Sequence, residues 1–404
     1  MFNRIFIKSA EWPKDYFIIL AGWTLSAVSF GSLLPFAAVY LGKRIGFDGR
    51  DIGLFFLYTA ALRAAVQGYS GERSDISGRK KLMLSALFGR FFFLFLLALF
   101  NIFFDNNILF LLLLSFVYMF TSIFQPAAQA AVADCTNDED FTDAFALVRI
   151  GGNLGWVLGP IAGGYIAEKS FSFLFAFSAL FSFAGFIVFL LFYSNSSQKI
   201  SEAKDRIHYS EVFSNTAFIF YCIVSFLMMI TTSQLLSTLP HFFSSEKNIP
   251  LSSMGYYFGI NGFTVILLQI PAAEFIHRIS PYAGLALGSF LYASGYFMVG
   301  LADSFFSFAG VIALVSAAEV IVLPLTQSGI ARLAERTTLG RYMGFFNVIT
   351  VLAWSLGPLT AMEILRVSGN EHLKAWGQIS IFAYGASVGF IVLHFYDQRR
   401  KHLI

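Results

Sequence analysis

The sequence predicts an all-α polytopic membrane protein whose twelve transmembrane helices form two pseudo-symmetric halves of six helices each. Three observations predict this fold class: an apolar composition, long runs without charged residues, and a motif that recurs in the second half. The 404 residues are 57% hydrophobic and 13% charged, whereas a soluble domain has about 45–50% apolar and about 25% charged residues. The composition therefore excludes an ordinary soluble protein.

Nine runs contain no Asp, Glu, Lys or Arg, and each is near or above the roughly 18 residues that mark a membrane-spanning candidate. These runs are 16–42, 106–133, 150–167, 170–198, 212–245, 248–273, 279–302, 342–362 and 375–396. Three further apolar segments are each interrupted by one charged residue: 52–71 by Arg63, 82–104 by Arg90, and 304–331 by Glu319. Together they predict twelve spans, numbered 1 to 12 in chain order. A count of eleven or thirteen is the alternative.

The Lys and Arg residues between the spans predict the orientation. With the N-terminus inside the cell, the cytoplasmic segments contain 17 of the 27 Lys and Arg residues and the opposite loops contain seven. Because Lys and Arg accumulate on the cytoplasmic side of membrane proteins, both termini are predicted to be cytoplasmic, in a bacterial or archaeal plasma membrane. The first 15 residues lack the apolar core of a signal peptide, so helix 1 is expected to be retained.

The longest polar stretch, 194–211, lies near the middle of the chain with six predicted helices on each side. It divides the chain into an N-terminal half, a cytoplasmic linker and a C-terminal half, which are 1–194, 195–211 and 212–404. A shift of 198 positions superimposes the sequence Trp-x-Leu-Gly-Pro at 156–160 on the same sequence at 354–358. Parallel repeats of six helices are typical of transporters that bind their solute near the bilayer midplane.

A basic motif between predicted helices 2 and 3 reads Gly-Glu-Arg-Ser-Asp-Ile-Ser-Gly-Arg-Lys-Lys at 71–81. Its glycines permit a tight turn, and its basic run favours the cytoplasmic surface. The spacing resembles the signature loop between helices 2 and 3 of the major facilitator superfamily, and the helix count, linker and repeat extend the resemblance over the whole chain. The resemblance implies the major facilitator fold and a gating role for these motif residues and an acid at the end of helix 4: Gly71, Asp75, Gly78, Arg79, Lys80 and Asp134.

Predicted helix 5 carries glycines at every fourth position, which places them on one face where another backbone can approach closely. One interpretation is a packing face with a proline bend. The other rests on the sequence Gly-Pro-x-x-Gly-Gly, which resembles the helix 5 motif of proton-coupled drug exporters in the same superfamily. The motif residues are Gly155, Gly159, Pro160, Gly163 and Gly164. Predicted helix 8 also has a small-residue face, so helices 5 and 8 are expected to touch, with Gly155 near Gly259.

Three charged residues lie inside predicted spans. Glu319 is about 15 residues into helix 10, or roughly 22 Å, which is near or slightly past the bilayer centre. Its carboxyl group either packs beside a neighbouring Arg or Gln, or binds a proton or cation, and the resemblance favours the second reading. Arg63 is expected to face the interior, where it binds an anionic group or pairs with an acid. Arg90 is expected to be structural, with its stem snorkelling toward the cytoplasm.

Neutral polar and aromatic side chains in the spans would complete a cavity for an apolar ligand. Most Phe and Met residues in such a chain face lipid or other helices, so packing is the competing interpretation for each. The predicted substrate-cavity residues are Arg63, Tyr118, Gln125, Gln129, Phe226, Met229 and Gln234.

The sequence contains no G-x-x-x-x-G-K-[ST] loop, no G-x-S-x-G elbow and no H-E-x-x-H pair. We therefore expect no enzyme activity, metal or cofactor, and the dispersed positive charges predict no nucleic-acid surface. The expected molecule is a monomeric alternating-access transporter whose partners are a small-molecule substrate, protons or another coupling ion, and the lipid bilayer. The resemblance favours proton-coupled efflux of lipophilic or amphipathic compounds. The alternatives are an uptake carrier for a sugar or organic anion, and a non-transporting sensor.

Overall fold

The computed structural model describes residues 12–103, 106–136, 141–194, 210–276, 278–334 and 339–402. Twelve helices of at least 17 residues occupy these ranges, with no strand among the described residues, which confirms the all-α fold class. They are α1 (Lys14–Tyr40), α2 (Gly49–Ser77), α3 (Arg79–Phe103), α4 (Asn107–Cys135), α5 (Phe141–Lys169), α6 (Phe171–Phe192), α7 (Thr216–Thr232), α8 (Leu251–Ile276), α9 (Pro281–Val299), α10 (Phe305–Leu333), α11 (Leu339–Ser368) and α12 (His372–His402).

Ten of these helices are long and apolar enough to cross a membrane, as judged over the described part of the chain. The other two are α2 and α5. Six glycines in α5 and the polar end of α2 lower the mean hydropathy of these helices. Both helices have 29 residues, more than the roughly 20 that a bilayer requires, so their length matches the predicted spans.

The chain forms two compact units. Unit 1 consists of Met1–Tyr40, Ala61–Ala203 and Asn248–Gly259. Unit 2 consists of Leu41–Ala60, Lys204–Lys247 and Ile260–Ile404. Each unit therefore contains most of one predicted half together with the first turns of one helix from the other half. The division of the chain at the linker stays a prediction, and residues 195–209 lie outside the described part.

Glycines in α5 bring its backbone against α1 in unit 1. A Cβ atom added at Gly159 would lie 2.8 Å from the Val28 carbonyl oxygen and 2.9 Å from the Ser32 nitrogen. A Cβ at Gly163 would lie 2.5 Å from the Ser32 carbonyl oxygen. Such distances leave no room for a side chain, so the glycine face of α5 is a packing face and its partner is α1.

Unit 2 also depends on close approach at glycines. A Cβ at Gly357 of α11 would lie 2.9 Å from the Ile230 carbonyl oxygen of α7. At the start of α2, a Cβ at Gly53 would lie 2.7 Å from the Cα atom of Leu359 in α11. Small residues therefore set the distance between helices in both units.

Replacing Gly159 by Val is expected to destabilise the protein, because the new side chain would overlap the α1 backbone, and overpacking costs about 1–3 kcal/mol or more. The matched control is Gly310→Val in α10, where an added Cβ has no heavy atom within 4 Å in the described structure. Thermal unfolding in detergent should show a lower Tm for G159V than for G310V. Equal Tm values would contradict the close α1–α5 packing.

Candidate functional site

Most of the predicted loop at 71–81 is helical. α2 continues to Ser77 and α3 begins at Arg79, so that only Gly78 separates them. Gly78 has a φ of 89°, a left-handed conformation that glycine adopts without steric cost. The expectation of a longer loop is therefore wrong, because one glycine makes the whole turn. The surroundings of Gly71 and the side chain of Asp75 lie outside the described part of the structure.

Arg79 and Asp134 form an ion pair inside unit 1. The Nε atom of Arg79 lies 3.2 Å from Oδ2 of Asp134, and the two side chains are 8% and 9% exposed. The pair joins the start of α3 to the end of α4. Because both groups are nearly buried, removal of one would leave the other charge without its counter-ion. The acidic residues at 138–140 lie outside the described part of the chain.

Lys80 and Asp15 hold the end of α6. Lys80 donates from Nζ to the carbonyl oxygens of Leu190, at 3.3 Å, and of Tyr193. Asp15 accepts from the backbone N–H of Ser194 at 3.0 Å and from its hydroxyl at 2.7 Å. These bonds satisfy backbone groups that lack a partner within the helix. The basic motif therefore ties α3 to α4 and α6 within unit 1.

α5 also meets the first turns of α8 within unit 1. A Cβ at Gly255 would collide with the carbonyl oxygen of Pro160, and one at Gly259 would lie 2.6 Å from Cδ1 of Ile161. The contact between helices 5 and 8 is therefore present. The expected pairing of Gly155 with Gly259 is wrong, because a Cβ at Gly155 would meet α1, 2.8 Å from the Val28 nitrogen.

The Glu319 carboxylate lies half-buried among neutral polar groups of unit 2. Asn261 of α8 donates from Nδ2 to Oε2 of Glu319 at 3.1 Å and to Oγ of Ser316 at 2.8 Å. Ser316 precedes Glu319 by three residues, so both lie on the same face of α10. Tyr292 and Tyr296 of α9 are within electrostatic range of the carboxylate. Asn261 is thus one hydrogen-bond partner of Glu319, and it is a residue type that the sequence did not suggest.

Arg63 has an exposed side chain within electrostatic range of the Tyr118 hydroxyl. Tyr118 is 1% exposed, and its ring centroid lies 6.0 Å from that of Phe30, which in turn lies 6.4 Å from that of Trp156. Arg63 is therefore near a polar group that is buried inside unit 1. Its guanidinium group is available to a ligand with a carboxylate or phosphate.

The remaining predicted cavity residues differ in accessibility. Gln125 is exposed, Gln129 and Phe226 are half-buried, and Met229 is 9% exposed. Gln234 is fully buried in a 3₁₀ turn, Ser233–Leu236, that interrupts predicted helix 7.

The predicted cavity role of Gln234 does not fit this geometry. Its amide donates to the Ile230 carbonyl oxygen and accepts a hydrogen bond from the Thr238 hydroxyl. Local hydrogen bonds of this kind compete with the helical pattern, so Gln234 stabilises the interruption in helix 7 and leaves no group for a ligand.

Arg90 does not snorkel. Its side chain is 1% exposed and donates from Nε to the Ser182 hydroxyl of α6 at 3.0 Å and from Nη2 to the Ser26 hydroxyl of α1 at 2.9 Å. The residue is structural, as expected, but it is held between three helices inside unit 1. Serines on facing helices supply the hydrogen bonds that water would supply at the membrane surface.

Sequence reasoning missed Asn261 and Ser316. Asn261 is a polar residue in the middle of the charge-free run 248–273, and Ser316 lies one helical turn before Glu319. The polar residue types and their positions are visible in the sequence. The contact between Asn261 of α8 and the Ser316–Glu319 face of α10 depends on tertiary packing, which the sequence pattern does not give. Within the described residues, no group of three or more His, Cys, Asp and Glu residues is arranged to hold a metal ion.

Comparison with known proteins assigns the chain to a protein family. A family model described as "Major Facilitator Superfamily" matches residues 19–358, which is most of the chain. The relatives include a "Na(+), Li(+), K(+)/H(+) antiporter" of Planococcus maritimus, 22% identical over 97% of this chain and 99% of that protein. They also include "Tetracycline resistance protein, class E" of Escherichia coli, 23% identical over 93% of each chain.

Among solved structures, the fold is similar to that of a peptide transporter described as POT, crystallised with sulfate. The TM-score is 0.81, with 14% sequence identity, over 96% of this chain and 95% of that chain. At this identity the likeness shows the fold alone.

Cysteines at positions 161 and 259 are expected to form a disulfide between α5 and α8. Cγ1 of Ile161, near the position of a cysteine sulfur, lies 2.7 Å from a Cβ built at Gly259, a separation that suits disulfide geometry. In a variant lacking Cys135 and Cys222, mild oxidation of I161C/G259C should block labelling with a maleimide–polyethylene glycol. The pair G155C/G259C should stay labelled. Full labelling of I161C/G259C after oxidation would refute the described α5–α8 contact.

Proposed function

The chain belongs to the Major Facilitator Superfamily, and we propose that it exports lipophilic or amphipathic small molecules in exchange for protons by alternating access. As a multi-pass transporter of this superfamily, it carries a small-molecule substrate. The proposal adds the direction, the substrate class and the coupling ion. It also places the protein in a bacterial or archaeal plasma membrane with both termini in the cytoplasm, as the distribution of Lys and Arg favours.

The single observation that carries the proposal is the setting of Glu319. An ionised carboxylate inside a membrane span is energetically costly, and such residues usually mark ion pathways or proton relays. Glu319 lies well inside α10 and is held by the Asn261 amide, 3.1 Å from its Oε2 atom. A purely structural role would be served as well by a Gln side chain, which carries no charge.

Neutral polar neighbours allow Glu319 to gain and lose a proton without losing its hydrogen bonds. In the ionised state the carboxylate accepts from the Asn261 amide. In the protonated state the carboxyl group donates a hydrogen bond, and the amide can turn to present its oxygen, because an Asn side chain both donates and accepts. Proton exchange at this site therefore changes charge while the site stays hydrogen-bonded, which suits a residue that binds and releases protons in each cycle.

Exchange requires that one site open alternately to the two sides of the membrane. We assign the gate to the basic motif and to the Arg79–Asp134 pair, which fixes the ends of α3 and α4. We assign a pivot to the glycine face of α5, because helices in contact through small residues can slide with little steric penalty. The name of one relative states antiport of alkali cations and protons, and the name of the other states resistance to tetracycline; both support a proposal of export coupled to protons.

A second candidate function rests on Arg63. Its guanidinium, which is near the buried Tyr118, favours a ligand with an anionic group. On this reading the protein is a carrier for organic anions, and Arg63→Gln would weaken transport of an anionic amphiphile while transport of a permanent lipophilic cation would be unchanged or improved.

Replacing Glu319 by Gln is expected to abolish proton-driven transport. In proteoliposomes with an acidic lumen and a clamped membrane potential, the wild type should accumulate tetraphenylphosphonium, whose charge does not depend on pH. E319Q should fall to the level of empty liposomes, because the amide cannot exchange a proton, yet should keep exchange of labelled for unlabelled substrate.

The matched control is Glu371→Gln, a change of the same chemistry in an exposed turn before α12. E371Q should transport like the wild type. Accumulation by E319Q at the wild-type rate would remove Glu319 from coupling and leave the proposal without its main support.

A further inference from the structure

We propose that Glu319, Asn261 and Ser316 together form a binding site for a small alkali metal cation, Na⁺ or Li⁺, which competes with the proton at the Glu319 carboxylate. This inference rests on the proposed function, because it takes proton exchange at Glu319 as its starting point. It adds a second ligand for the same site and a second exchange activity: alkali cation against proton.

Three polar groups from two helices converge at one point. Nδ2 of Asn261 lies 2.8 Å from Oγ of Ser316 and 3.1 Å from Oε2 of Glu319. Ser316 donates its own hydroxyl hydrogen to the Ile312 carbonyl oxygen, at 2.7 Å. The lone pairs of the Ser316 oxygen therefore remain directed toward Asn261, where they can accept a hydrogen bond or coordinate a cation.

Rotation of the Asn261 amide by half a turn converts this cluster into an oxygen site. The two ends of the amide have nearly the same shape, and the rotation exchanges Nδ2 for Oδ1 at the same position. The cluster then presents a carboxylate oxygen, an amide oxygen and a hydroxyl oxygen. Hard cations prefer these ligands at about 2.3–2.6 Å, and oxygens about 3 Å apart can share one ion at such distances.

The charge of the cluster selects a monovalent cation. Glu319 supplies one formal negative charge, and the Asn261 and Ser316 side chains are neutral. The titratable groups that face the site from α9 are Tyr292 and Tyr296, and both are neutral at physiological pH. One proton or one Na⁺ therefore balances the charge of these three side chains, whereas a divalent cation would add one more positive charge than they carry, which is costly away from water.

Competition at one carboxylate produces exchange. A protonated Glu319 has no charge to hold a cation, and a Glu319 that coordinates Na⁺ has a much lower affinity for a proton. In alternating access the site opens to each side of the membrane in turn. When the protein changes between these two states only with the Glu319 charge neutralised, the inward movement of a proton is coupled to the outward movement of a cation. Asn261 bonds the Glu319 carboxyl group and so acts on the proton as well as on the cation, whereas the described bonds of the Ser316 hydroxyl go to Asn261 and to the Ile312 carbonyl oxygen. Ser316 is therefore the residue that separates cation binding from proton binding.

The test uses proteoliposomes with an acidic lumen that contains a pH-sensitive dye and with the membrane potential clamped. External NaCl, LiCl, N-methylglucamine chloride or tetraphenylphosphonium chloride is added, and the rise of lumenal pH is recorded. For the wild type we expect proton efflux with Na⁺, Li⁺ and tetraphenylphosphonium, and none above background with N-methylglucamine.

Variants separate the cation site from the proton site. Ser316→Ala and Asn261→Ala should each raise the half-maximal Na⁺ concentration about 10- to 100-fold, as loss of a group around a metal ion does. Ser316→Ala should keep the response to tetraphenylphosphonium, whereas Asn261→Ala should also slow that response, because Asn261 bonds the Glu319 carboxyl group. Ser316→Ala leaves the larger side chain in place and so serves if N261A does not fold. The matched control is Thr326→Val, which removes a buried hydroxyl bonded to the carbonyl four residues earlier on the same helix, at 2.8 Å. T326V should respond like the wild type.

The outcomes distinguish the two proposals. Proton efflux with tetraphenylphosphonium but not with Na⁺ or Li⁺ would overturn the cation site and leave the proposed function in place. Efflux with Na⁺ that is unchanged in both N261A and S316A would overturn the assignment of the site. The absence of efflux with every cation would overturn the proposed function and this inference with it.

Discussion

The constraint on which the rest of the structure depends is that charged groups inside the membrane must find their partners within the protein. Arg90 satisfies it with serine hydroxyls on α1 and α6, and its burial joins three helices. Glu319 satisfies it with the Asn261 amide on α8. The first arrangement is rigid, because an arginine stays protonated at any physiological pH. The second can change its charge, which is why we place exchange there.

The two units carry different polar groups around positions that the internal repeat aligns. The shift of 198 that aligns the Trp-x-Leu-Gly-Pro motifs also aligns Tyr118 with Ser316 and Thr121 with Glu319. In unit 1, α4 contributes Tyr118 near the cation Arg63; in unit 2, α10 contributes the Ser316–Glu319 face near Asn261. Unit 1 therefore has a positive group near these positions and unit 2 has a negative one.

Much of the fold could be predicted from sequence because lipid imposes simple rules on helix length and charge. The helical spans follow from these rules, whereas the one-residue turn at Gly78 does not. The expectations that differ from the structure depended on which helix face contacts which neighbour. Gly155 faces α1, Arg90 is enclosed between helices, and Gln234 stabilises an interruption in helix 7. Glu319 could be identified from its depth, but Asn261 could not, because no sequence rule states which polar side chain of α8 lies opposite α10.

Proton exchange at Glu319 can be measured directly as proton release on ligand binding. Lipophilic cations, including tetraphenylphosphonium, would be added to the purified protein in weakly buffered detergent near neutral pH, and the pH change followed with an indicator dye. The account predicts that binding of a cation releases about one proton per protein, since one carboxyl group is exchanged, and that Glu319→Gln releases none. Binding without proton release in the wild type would contradict the account.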